Sequence, residues 1–260
     1  MADTYTRLGV DDELRRSLCQ RCGLSSVDFV SSIDSTQRRA RELAVDESSD
    51  WTLVVADFQT AGRGQHGRRW SASPGTSVMF SLVVHPRCAE AMAQMPIRTG
   101  LAAAEALEEL LGPAETIGLK WPNDLMARDA KLGGILCEGQ IRGAEVRAIV
   151  GVGINVRPFD PLLGPLTSPA FVDALAGRPV DRFELLAAVV ACIRRRIDVD
   201  AAQLTDDELA QWRSRDWLAG RAINAPIAGH VDGIDASGHL RVRTAEGTLE
   251  TVVAGSVELA

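Results

Sequence analysis

Positive charge is scarce in this chain. Its 28 lysines and arginines face 35 aspartates and glutamates, for a net charge of −7 and a pI of about 5.2. Affinity for duplex nucleic acid rests largely on neutralising phosphates, so the net charge argues against a general nucleic-acid binder while leaving room for a local basic site such as 62–69. No apolar run is long enough to span a bilayer, and no basic start leads into an apolar stretch. No membrane association and no leader are therefore expected, and a cytoplasmic setting fits. The five cysteines are an odd, scattered set, Cys19, Cys22, Cys88, Cys137 and Cys192, which argues against a disulfide framework and for a reducing compartment. Cys19 and Cys22 have C-x-x-C spacing, but no second pair follows at zinc spacing, so they read as ordinary thiols of an N-terminal helix closed by Gly23. Internal repeats and low-complexity tracts are also absent.

What is present is enough apolar residue, 46% of 260, to bury a full core, with room for one large domain and a small one. Ser35 or Thr36 can cap the helix QRRARELA, and Pro96 opens a helix that Gly112 closes. Asp181 with Glu184, and Thr205 with Glu208, have capping-box spacing. Runs rich in β-branched residues predict strands at 51–59, 78–85, 118–121, 132–141 and 145–156, the last two joined at Arg142 and Gly143 as a hairpin. The Pro- and Gly-rich segment 157–177 reads as a long surface loop. From Trp217 onward, short strands separated by DASG and AEG turns spell a small all-β module. The expected fold class is α+β with a mixed sheet over 1–216, followed by a small β-barrel over 217–260.

Three stretches are harder to explain as packing. The first, 62–70 (GRGQHGRRW), has three glycines and three arginines and suits closing backbone amides and guanidinium forks around a phosphate or carboxylate. Its GxGxxG match to a dinucleotide fingerprint fails, because Pro74 and Gly75 forbid the helix that fingerprint needs. Walker and kinase readings lack their remaining motifs. In the second, KWPND, Pro122 fixes the chain so that Asn123 and Asp124 are presented in a defined direction at a strand end. The third, KLGGILCE, starts at Lys131 and carries paired Gly133 and Gly134, which weaken a strand unless something approaches its backbone. GVGIN, ending at Asn155, repeats that logic, and its amide suits an adenine edge.

Together STQ at 35–37, QTAGRG at 59–64, KWPND, KLGGILCE and GVGIN resemble biotin protein ligase, in that family's order and at similar spacing. The resemblance runs over residues 31–156, and the C-terminal module looks like the family's SH3-like domain. It implies a class II synthetase-like catalytic domain that joins biotin to ATP, releases pyrophosphate, and transfers biotin from biotinyl-5′-AMP to one lysine of a biotin carboxyl carrier domain. It assigns Ser35, Thr36, Gln37 and Gln59 to biotin, with Gly64, Gln65 and Gly134 around it. Arg63 would meet the biotin carboxylate and α-phosphate, and Lys131 the acyl-phosphate, as the catalytic cations. Arg68, Trp70, Lys120, Asn123, Asp124 and Asn155 fall on the ATP side, with one or two Mg²⁺ carrying the pyrophosphate and Asp124 as a metal ligand.

Two departures from the family stand out. Gln37 replaces the usual asparagine, and Gln65 stands where many members have a second arginine, leaving the loop one charge short. Only 34 residues precede the Ser-Thr signature, so the winged-helix repressor domain of some members is not expected. A sheet edge free to pair leaves a homodimer open. The rivals are a lipoate ligase of the same superfamily and a non-catalytic biotin-binding regulator. KWPND with the C-terminal module favours biotin, and the joint presence of Lys131, Arg63 and Asp124 favours catalysis.

Overall fold

The β-branched runs fold into one eight-stranded mixed sheet in a computed structural model that describes residues 6–7, 12–142, 145–159, 169–197 and 200–260. From edge to edge the sheet runs β1 (Thr6–Arg7), β2 (Ser26–Ile33), β3 (Thr52–Gln59), β4 (Ser77–Val84), β8 (Glu145–Asn155), β7 (Ala130–Arg142), β6 (Asp124–Ala127) and β5 (Ile117–Lys120). Only β2 and β3 pair in parallel, joined through helix α2 (Thr36–Leu43); every other neighbour is antiparallel. The expected hairpin is the β7–β8 pair, whose register runs out to Arg142 opposite Glu145; Gly143 lies outside the described residues.

Side chains alternate across the sheet and divide its faces between two jobs. Val78, Phe80, Leu82 and Val84 of β4, with Val150, Val152 and Ile154 of β8, face the main core. Helices α1 (Asp12–Cys22), α4 (Met95–Leu111) and α6 (Arg182–Arg196) contribute to that same core. Leu101, Leu107, Leu185 and Ile193 are fully buried there, each contributing about 1.5–3 kcal/mol of transfer free energy. On the opposite face α2 seats Ala40 and Ala44 against Val54, Val83 and Ile149, Val30, Ile33 and Ala56 form a small cluster nearby, and a cavity opens over the β4, β7 and β8 part.

Pro96 lies in the first turn of α4 and Gly112 caps its end, as expected. The Thr205–Glu208 box forms in full at α7 (Asp206–Arg213). Asp181 caps α6 by accepting from the backbone N–H groups of Phe183 and Glu184. The loop expected at 157–177 needs correction. Val172–Ala176 is a helix, α5, with Val172 buried and Gly177 taking the left-handed turn that ends it (φ 64°). The same residues that read as loop punctuation are its boundaries; 160–168 lie outside the described residues.

A second, five-stranded antiparallel sheet closes the chain: β9 (Ala222–Ala225), β10 (Gly229–Ile234), β11 (Leu240–Arg243), β12 (Leu249–Val252) and β13 (Glu258–Leu259). The segment just before it hydrogen-bonds to β5, through Leu119 N–H to Arg215 O and Trp217 N–H to Leu119 O, so residue 217 still belongs to the edge of the large sheet. Trp121 of KWPND is buried, and its Nε1–H donates to Gly238 O, 3.0 Å away, fastening the two sheets together. Among the described residues no helix is long and apolar enough to cross a membrane, and all five cysteines are free thiols.

Candidate active site

A cavity of about 730 Å³ opens on the α2 face of the sheet. Every site residue read from the sequence lines it: Ser35, Thr36, Gln37, Gln59, Arg63, Gly64, Gln65, Arg68, Trp70, Lys120, Asn123, Asp124, Lys131, Gly134 and Asn155. They come from strand ends, one helix N-terminus and one loop, which is why they are spread over 120 residues of sequence.

At one end the polar groups are neutral. Thr36 donates from its backbone N–H to Gln59 Oε1 at 2.8 Å and from Oγ1 at 3.3 Å. Ser81 Oγ lies 2.9 Å from both Thr36 Oγ1 and Gln37 Oε1. Gln37 is 3% exposed and donates both amide hydrogens to the carbonyls of Leu136 and Ile149. Its place is therefore a strut between α2 and the β7–β8 pair, with only its oxygen turned to this cluster. Gly151 makes room for it, since a Cβ there would sit 2.5 Å from Gln37 Oε1. Ser35 Oγ is buried without a hydrogen-bond partner. Such a hydroxyl costs about 1–3 kcal/mol unless something binds it, so this end suits a small ligand with amide- or urea-like donors and acceptors.

The other end is cationic. Lys131 Nζ pairs with Asp124 Oδ1 at 2.5 Å, both half-buried, and Asn155 Nδ2 donates to Lys131 O at 3.3 Å. Burial, assisted by the charges of Lys131, Arg68 and Arg221 and opposed by Asp124, holds the Lys120 ammonium below the usual lysine range. Lys120 and Lys131 are the only lysines in the chain; every other cation among the 28 is arginine. Both sit in the cavity. That count was legible in the sequence and marks the site more sharply than any single motif.

KWPND is a tight turn between β5 and β6, with a cis bond at Trp121–Pro122. Asn123 accepts from Ile135 N–H at its backbone oxygen and donates from Nδ2 to Ile135 O at 2.7 Å, so it pins β7 beside the turn. Asp124, the other member of the pair, turns its carboxylate to Lys131 at the cavity wall. Among the described residues no three His, Cys, Asp or Glu gather as a metal cage; the carboxylates lining the cavity are Asp124 and Glu258. Mg²⁺ bound with a nucleotide takes most of its ligands from phosphate and water, and one carboxylate fits that habit.

The glycine loop is a small hairpin. Arg63 and Arg69 form a β-bridge, Gly64 N–H donates to Arg68 O, and Gln65–Gly67 make one 3₁₀ turn with His66 at φ 53°. It delivers Trp70 onto bare backbone. Gly134 and Gly153 pair across β7 and β8, and a Cβ on Gly153 would sit 2.6 Å from the indole. This side chain covers the bare backbone at Gly134 and Gly153. Gly133 faces the other way, toward Leu125 and Ile154. The Trp70 Nε1–H is buried without a partner. Arg63, at the cavity rim, reaches toward Glu138, with Nη2 3.2 Å from Oε1.

Residues missed from sequence also line the cavity. Ser81 carried no signal, being a serine inside an apolar strand. Ser256, Val257 and Glu258 bring the C-terminal sheet to the rim, where Arg68 Nη2 meets Ser256 Oγ at 3.3 Å.

A mixed α+β sheet whose cavity joins a neutral hydrogen-bonding end to a cationic end defines an enzyme for a small molecule and an anion. Residues 29–155 match the Biotin/lipoate A/B protein ligase family, and residues 221–260 match the Biotin protein ligase C terminal domain. A biotin–[acetyl-CoA-carboxylase] ligase of Paracoccus denitrificans is 36% identical over 226 residues, covering 81% of this chain and 91% of that protein. The bifunctional ligase/repressor BirA of Bacillus subtilis is 33% identical over 240 residues, covering 87% and 72%. The solved structure of biotin protein ligase from Aquifex aeolicus with biotin and ATP has a TM-score of 0.73 at 28% identity, over 90% of this chain and 98% of that one. The chain belongs to the biotin protein ligase family.

Proposed function

We propose that this enzyme activates biotin with ATP to biotinyl-5′-AMP and transfers the acyl group to a lysine of a biotin carboxyl carrier domain. The observation that carries the reading is the polarity of this one cavity from end to end, neutral around Ser35, Thr36, Gln59 and Ser81 and cationic around Lys120 and Lys131. A ureido ring matches the first end and a polyphosphate the second.

In the first step a carboxylate oxygen attacks the α-phosphorus and the bond to pyrophosphate breaks. Two anions must approach, and cations offset that repulsion and the charge that builds in the transition state. Lys131 is a point charge able to follow a moving phosphate, and Arg63 a planar fork for a fixed oxyanion pair. Trp70 and Asn155 flank the adenine side. Mg²⁺, held by the phosphates with Asp124 as the protein ligand, would neutralise the leaving pyrophosphate. In the second step a neutral carrier amine attacks the acyl carbon, AMP leaves, and the nitrogen loses its proton. Residues 1–217 act as the catalytic unit and the β9–β13 sheet as an SH3-like module that completes the nucleotide rim, in a cytoplasmic enzyme.

The test is pyrophosphate exchange into ATP with biotin or lipoate as the acid. Exchange with biotin alone is expected. Exchange with lipoate in its place assigns the cavity to the sister activity, and no exchange with either acid sinks the reading.

A further inference from the structure

We propose that Glu138 is a positioning residue: it latches the glycine loop through Arg63 and hands that arginine to the ligand, while Arg41 keeps a counter-ion on Glu138 when Arg63 leaves. The proposal rests on the reading that Arg63 serves the biotin carboxylate and α-phosphate.

Along β7, residues 134, 136, 138 and 140 share one face. Gly134 and Leu136 line the main cavity, and Gln140 lines a second recess of about 550 Å³ beside it. Glu138 stands between the two. Arg63 borders both spaces and closes on Glu138 with Nη2 to Oε1 at 3.2 Å and Nη1 to Oε2 at 3.4 Å. This is a two-pronged contact between the loop and the sheet floor. A guanidinium fork presented edge-on to one carboxylate is not free to present the same edge to another anion. To clamp a ligand with that Nη1/Nη2 edge, Arg63 has to leave Glu138 first.

Leaving is made easy by the third member. Arg41, on α2, holds Glu138 Oε2 at 2.7 Å. When Arg63 swings away the carboxylate keeps a cation, which avoids the large cost of stranding a half-buried charge. Glu138 thus sets the resting position of the loop, and Arg41 sets how firmly it is held.

The two outer residues have opposite expected effects. Glu138→Gln removes the competitor, so the KM for biotin in pyrophosphate exchange should fall about two- to fivefold, the scale of a partly exposed ion pair, with kcat held within about twofold. In the ligand-free protein, trypsin should cut faster after Arg63, Arg68 and Arg69, as mapped by mass spectrometry. Arg41→Gln leaves Arg63 as the sole partner of Glu138, so KM should rise and cleavage slow. General structural damage would raise KM and speed cleavage in both variants. An unchanged or raised KM in Glu138→Gln, or cleavage no faster than wild type, overturns the latch. If Glu138→Gln does not fold, Arg41→Gln decides alone, and a KM that does not rise overturns it. Wild-type protein without biotin exchange would defeat the functional reading instead, and the substrate-free cleavage comparison would still judge the latch.

Discussion

Lys131 Nζ lies 2.5 Å from Asp124 Oδ1, across the β6–β7 pair and inside the cavity. The resting lysine is therefore compensated by the one carboxylate that also suits a metal. Under the proposed function an arriving phosphate would take the lysine, and the freed carboxylate would then be available to a cation that accompanies it.

Lys131→Ala should cut adenylate formation by about 10²–10³-fold, the scale of losing one preorganised charge at a reacting oxyanion. The ion pair is partly exposed and worth about 1 kcal/mol or less to the fold, so the melting temperature should move by only a few degrees. Pyrophosphate exchange and thermal melting on the same sample check both halves. Near-normal biotin transfer in this variant would remove Lys131 from its role.

Gly153→Ala asks whether the seat of Trp70 matters. The new methyl would stand 2.6 Å from the indole, which must shift. Trp70 as a whole is only half-buried, so the protein should fold with the indole displaced while the KM for ATP rises several-fold and that for biotin changes less. A crystal structure of the variant with Trp70 in its original place would refute the argument.

Lys120 gives a pH signature. Burial first, then the neighbouring cations, lowers its pKa, so it loses its charge at lower pH than an ordinary lysine. kcat/KM for ATP should show an alkaline limb below the usual lysine range, displaced to higher pH in Lys120→Arg. Its effect on stability has a definite sign. Between the folded and unfolded pKa values the unfolded chain holds more protons, so this group's contribution rises with pH in that window; below the folded pKa the burial cost is present in full. Because the chain has two lysines, competitive acetylation read by mass spectrometry titrates each amine separately. A Lys120 amine that titrates with free lysine would contradict this.

Gln65 lines the cavity in the loop that lacks a further cation. Gln65→Arg should slow the release of biotinyl-AMP, measured by trapping the free adenylate after rapid dilution. Release at the wild-type rate would show that the missing charge does not govern retention.

Much of the site was legible because its chemistry is local. A five-residue run such as KWPND, or glycines spaced two apart in GVGIN, writes its backbone requirement directly into the sequence. What was not legible depends on register. Ser81 becomes polar lining only because β4 places it opposite Gly151. The bare patch at Gly134 and Gly153 belongs to Trp70 only because the loop folds back onto it. Strands β2 and β6 escaped notice for related reasons. Ser26–Ile33 mixes polar residues into a strand near the sheet edge, and Asp124–Ala127 is a four-residue strand hidden behind a proline turn. Glu138 looked like the polar end of a motif until α2 and the loop each brought it an arginine.

The confinement of both lysines to the cavity has a chemical corollary. An acyl phosphate reacts with neutral amines, whereas guanidinium stays protonated and does not attack acyl carbon at neutral pH. Any activated acyl group that escapes from this protein meets side-chain cations outside the cavity that are all arginine. Outside the cavity the enzyme thereby offers its product no side-chain amine, and the amine that ends the reaction is brought by another molecule.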